Sequence, residues 1–199
     1  MKIDWQLPAH RKGVKGQLDK LIGPGATRAE KQIQSYVPLF GTGVLALYAF
    51  YAELGWSIGQ YVVALILTID ILGGIITNAT SSAKRWYHKE GEGFAQHMRF
   101  ICVHFIQLLL FSYFFLDFNL VWVLLTGGYL ILASIMILLT LLYLQRPVAL
   151  IFYALSLILS LYVFESTEGL QWFLPLFYLK LLISHLLKEE PYRPAQERV

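Results

Sequence analysis

Six long apolar runs, separated by short polar stretches, constrain this chain more than any other feature. They cover residues 36–54, 60–80, 98–116, 119–143, 147–164 and 170–187. Each is about long enough to cross a hydrocarbon core of roughly 30 Å at about 1.5 Å per residue. In a soluble globule such runs would need a polar coat. The chain has little to make one from, since 57% of its 199 residues are hydrophobic and only 15% are charged. A bilayer accepts apolar side chains outward, so the composition excludes a water-soluble enzyme and a disordered chain. Backbone groups in lipid must pair within their own segment, and the runs lack the alternation of a membrane barrel, which leaves helices.

The expected fold class is therefore all-α, a polytopic membrane protein with six transmembrane helices. Its expected organisation is a cytoplasmic amphipathic N-terminal segment over 1–35, a six-helix transmembrane domain over 36–187 and a cytoplasmic tail over 188–199.

The cations give a direction. Lys2, Arg11, Lys12, Lys15, Lys20, Arg28 and Lys31 precede the first run; Lys84, Arg85, Lys89 and Arg99 lie between the second and third; Arg146 lies between the fourth and fifth; Lys188, Arg193 and Arg198 follow the sixth. Six crossings put all of these on one side, and the remaining cation, Lys180, lies inside the last run. The opposite loops carry only Glu53, Asp117, Glu165 and Glu168. Under the positive-inside rule both termini are expected in the cytoplasm, with the cell membrane as the location. The natural partners of these cations are anionic inner-leaflet headgroups of the lipid bilayer, not nucleic acid. A homo-oligomer or a membrane partner is compatible with the same surface. The single cysteine, Cys102, excludes a disulfide framework and a multi-thiolate metal site.

The first apolar run follows some 35 polar and charged residues, so no cleavable signal is expected. Within that tail Val14, Leu18, Leu21 and Ile22 recur at helical spacing, which predicts a short helix ended by Gly23, Pro24 and Gly25. Thr27 and Glu30 have the spacing of a capping box and predict a second short helix leading to Pro38. In the loop 81–97, Lys84, Arg85, Trp86 and Tyr87 read as an interfacial anchor.

Ionisable groups inside apolar runs are costly and mark candidate sites. Asp70 lies near the middle of the second run, on a helical face with Gly73, Gly74, Thr77 and Ser81 and with Asn78 on its flank. His97 and His104, seven residues apart, share a face of the third run, with Gln107 beside it. Lys180 and His185 lie in the sixth run, about 140° apart on an unkinked helix, so only one of them is expected to face a common site. Pairing with Asp70 is the economical account of Lys180. With His88, these groups suggest a polar cavity open to the cytoplasm between runs two, three and six.

The expected ligand- or proton-binding residues are Asp70, Asn78, His97, His104 and Lys180. The function they point to is binding or transport of a small solute or ion, with proton linkage. One alternative is a membrane-embedded enzyme acting on a lipid or prenyl substrate, with a divalent metal held by His97, His104, His185 and Asp70. Another is a structural or partner-binding subunit in which Asp70 pairs with Lys180 or His104 to hold helices together. No His-Glu-x-x-His or His-x-x-x-His motif favours the enzyme.

Overall fold

A computed structural model describes residues 1–8 and 11–194, without the side chains of Lys15 and Leu18. The expectations resting on Leu18 and Arg198 lie outside the described residues. The chain is mostly helical, and its elements follow from local chemistry. Helix α1 (Gly13–Ile22) forms where the spacing predicts it and ends at Gly23, whose φ of +83° is open to glycine. A side chain at Gly23 would also collide with the Ser82 backbone, 2.4 Å from its Cβ position.

The Thr27–Glu30 capping box is present, with the Thr27 N–H donating to Glu30 Oε2 at 2.7 Å and the Glu30 N–H to Thr27 Oγ1 at 3.1 Å. The short helix it was expected to start is instead the beginning of one long helix, α2 (Arg28–Tyr51), which runs on through Pro38. A proline removes one hydrogen bond, and 24 residues of otherwise intact ladder tolerate that loss.

Helix α3 (Ile58–Ala79) opens on a second capping box, Ser57 with Gln60. Helix α4 (Ser81–Tyr87) follows at once, capped by Thr80. The next apolar run forms α5 (Phe94–Val103) and α6 (Phe105–Phe115), joined at His104, and it begins four residues earlier than the hydropathy suggested. Helices α7 (Leu120–Leu139) and α8 (Leu142–Tyr162) complete the long elements. The last run folds as α9 (Phe173–Tyr178), which passes directly into a π-helical segment, Leu179–His185.

Among the described residues, five helical stretches are long and apolar enough to cross a membrane: α2, α3, the α5–α6 pair, α7 and α8. The sixth apolar run, expected to match the others, is a shorter helical stretch over Phe173–His185. The reason lies in its surroundings. Phe173, Phe177, Tyr178, Leu181 and Leu182 are all buried, so this element is sized to the bundle interior and not to a lipid face. It packs on α3 and α8. Phe173 stacks on Phe111 with ring centroids 4.2 Å apart, and the Tyr178 hydroxyl donates to the Thr126 carbonyl at 2.9 Å.

The bundle has two chemically different ends. At one, Gln60 Nε2 donates to the Phe114 carbonyl at 2.8 Å, Thr167 to the Phe115 carbonyl at 3.2 Å and Trp122 Nε1 to the Glu165 carbonyl at 2.9 Å. These bonds gather the loops that carry Glu165, Asp117 and Glu53. The other end holds α1, α4, the 88–93 loop and both described chain ends. There β1 (Lys2–Ile3) pairs antiparallel with β2 (Tyr192–Arg193), Lys2 opposite Arg193 and Ile3 opposite Tyr192.

Lys84 and Arg85, expected among headgroups, are buried. Helix α4 is tucked under the end of the π-helical segment, whose last carbonyls have no helical partner. Lys84 Nζ supplies one, donating to Ser184 at 2.8 Å and Leu187 at 2.6 Å. Arg85 lies 3.8 Å from the Asp4 carboxylate, which also pairs with Arg193.

Candidate functional site

Two polar groups form inside the bundle, and His104 lies between them. The first is centred on Asp70, in the middle of α3. Lys180 Nζ donates to Asp70 Oδ2 at 2.7 Å, and Gln107 Nε2 from α6 donates to the same oxygen. Three separate elements thus meet on one carboxylate oxygen. The two partners differ in shelter: the Lys180 side chain is 3% exposed and that of Asp70 45%. Gly74 makes room for the lysine stem, because a Cβ there would sit 2.2 Å from Lys180 Cε. Gly74, which the sequence places on the Asp70 face, therefore serves the ion pair.

The second group lies at the end of the bundle that carries the chain ends. His97 Nδ1 and His185 Nε2 are 3.2 Å apart, so one of the two rings presents a bare nitrogen to the other. His88 Nε2 donates to the His185 carbonyl at 3.0 Å, and its ring centroid is 4.7 Å from that of His97. Burial, with His97 and Lys84 adding to it, pushes His88 down to about 3, so it is neutral at ordinary pH. Burial likewise lowers Lys84 to about 8. His88 and His97 line a cavity of about 840 Å³ that Trp5, Leu7, Gln145 and Lys188 help to wall.

His104 Nδ1 donates to the Phe100 carbonyl at 2.7 Å, and the His104 ring is close enough to Lys180 and Asp70 to interact with both charges. Phe100 bridges toward the histidines, stacking on His185 at 3.7 Å and tilting against His104 at 4.5 Å.

Lys180 and His185 both turn toward α3 and α5, although a regular helix would separate them. The π-helical bonding between them, with the Leu186 N–H reaching the Leu181 carbonyl at 3.2 Å, brings residues five apart nearly into register. Asn78 is buried but joins neither group, and its Nδ2 has no partner among the described residues. Of the residues named as metal ligands, His97 and His185 touch, His104 is turned to a carbonyl and Asp70 is held by Lys180. Among the described residues, no group of three or more His, Cys, Asp and Glu is placed to hold a metal ion.

Sequence reading undervalued Gln107 and His88. Gln107 could have been found as the only amide in the apolar stretch 105–111. Comparison with known families, characterised proteins and solved structures gives no match for this chain.

Proposed function

We propose that this chain is an integral membrane protein of six crossings with cytoplasmic termini, which binds or transports a small solute or ion with proton linkage through Asp70 and Lys180. One observation carries the reading. A pair that only clamps helices shelters both charges, because each is costly to leave without compensation. Here the lysine is enclosed and the carboxylate is not, and Oδ1 takes no hydrogen bond from the described residues. A proton or cation arriving at Oδ1 weakens the hold on Lys180, which couples occupancy to helix position. His104, His185, His97 and His88 then form a line of titratable groups from this pair toward the large cavity, interrupted by Phe100.

The pairing of β1 with β2 supports an even number of crossings, since it holds residues near both ends of the chain side by side. The concentration of Lys and Arg at that end supports its assignment to the cytoplasm.

The test is proton flux into proteoliposomes loaded with a pH dye, driven by a potassium diffusion potential. Wild-type protein is expected to acidify the lumen several-fold faster than empty vesicles, and Asp70→Asn/Lys180→Met, which strands no charge, is expected to lose that flux. Wild-type flux no faster than empty vesicles, or full flux in the double variant, refutes the proton-linked reading.

A further inference from the structure

A second cavity, of about 380 Å³, opens sideways between α4 and α5; His97, His104 and His185 of the titratable line reach its wall, and its remaining lining serves no role in the transport reading. Its apolar wall is Trp86, Tyr87, Phe100 and Val103, and its polar lining includes Arg99, Glu92, His104 and His185. We propose that this cavity is a lateral binding site for an anionic membrane phospholipid, with Arg99 receiving the headgroup phosphate.

Four observations converge on that class of ligand. Arg99 is exposed and makes no ion pair or hydrogen bond with the described residues, whereas the carboxylate beside it, Glu92, is engaged by Lys89 at 3.4 Å. The unmatched charge at the rim is therefore positive. Inside, His185 is buried and its Nδ1 has no hydrogen-bond partner among the described residues, an arrangement that is costly unless a ligand atom reaches it. The level is interfacial: α4 lies between membrane-length helices, and indole and phenol rings such as Trp86 and Tyr87 favour the headgroup layer.

The last observation separates a lipid from a free phosphate ester. Arg99, Val103, Ile106 and Tyr113 follow helical spacing along α5 and α6, and Val103, Ile106 and Tyr113 are 66%, 60% and 64% exposed. The cation stands at the head of an apolar stripe that descends along the helix, which matches a phosphate with an acyl chain below it. Arginine suits the headgroup because its guanidinium pairs two-pronged with phosphate oxygens.

The experiment uses the full-length protein in a neutral maltoside detergent, titrated with phosphatidylglycerol or phosphatidylcholine carrying brominated acyl chains. Bromine quenches indole on contact, and subtracting the signal of Trp86→Phe isolates Trp86. Half-quenching is expected at a mole fraction at least fivefold lower for phosphatidylglycerol. Arg99→Gln is expected to remove that preference and Arg99→Lys to keep most of it, with native mass spectrometry counting retained lipid as a check that needs no tryptophan. Equal quenching by the two lipids, an unchanged preference in Arg99→Gln, or displacement of the brominated lipid by glycerol phosphate would each overturn the proposal. Because no proton flux is read, failure here is distinct from failure of the transport reading.

Discussion

His88 is a neutral ring held where a charged one would be excluded. Unfolded, it titrates near 6.5, and folded, near 3. Between those values the unfolded chain binds a proton that the folded chain does not, so this residue makes stability rise with pH across the interval and fall on acidification. The destabilisation is absent above pH 6.5, grows as pH drops and is complete below about 3. On going from pH 7 to pH 4.5, wild-type protein should lose about 2–3 kcal/mol relative to His88→Gln, at roughly 1.4 kcal/mol per pH unit. Chemical unfolding in micelles at the two pH values measures it, and parallel profiles for the two proteins would contradict the assignment. Removing the ring also frees the His185 carbonyl, so the variant should be the weaker of the two at pH 7, by about 1 kcal/mol.

Between elements, the Asp70–Lys180 contact fastens α3 to the π-helical segment, and its unequal burial predicts unequal losses. Asp70→Asn leaves an enclosed ammonium without its counter-charge and should cost about 3 kcal/mol. Lys180→Met leaves the less enclosed of the two charges and should cost less, about 1–2 kcal/mol. The double variant should be more stable than Asp70→Asn alone, with a coupling of about 1–3 kcal/mol in a double-mutant cycle. Strictly additive losses would remove the pair from the account of stability.

What could be read beforehand divides along the same line. The capping box at Thr27, the end of α1 at Gly23 and the apolar runs depend on neighbours a few residues away, and each is visible in the sequence. The Asp70–Lys180 pairing was also legible, because two opposite charges at similar depth have few other partners. The fates of Lys84 and His185 were not. Lys84 finds its acceptors at Ser184 and Leu187, a hundred residues along the chain, and no local pattern marks that meeting. His185 faces His97 because the helix is π-wound there, and hydropathy carries no sign of winding.

For the molecule as a whole, the ribbon of β1 and β2 makes the strongest prediction. Directly opposed residues of an antiparallel pair lie about 4.5–5.5 Å apart at Cα, within reach of a disulfide. In a Cys102→Ser background, Ile3→Cys/Tyr192→Cys should therefore cross-link on mild oxidation. After cleavage at a protease site placed in the 89–93 loop, the two fragments should migrate together until reduced; separate fragments before reduction would refute the pairing.

The same ribbon sets an order on the birth of the molecule. Trp5 and Leu7 from the start of the chain and Leu186 and Lys188 from near its end wall the large cavity together. Asp4 cannot meet Arg193 until the ribosome has released nearly everything between them. A nascent chain with every earlier helix inserted would still expose Asp4 and Arg85 without Arg193, and its cavity would stand open on one side. The passage of residue 193 is thus written into the geometry of that end of the bundle, and a chain stalled before it is chemically distinguishable from one that has gone past it.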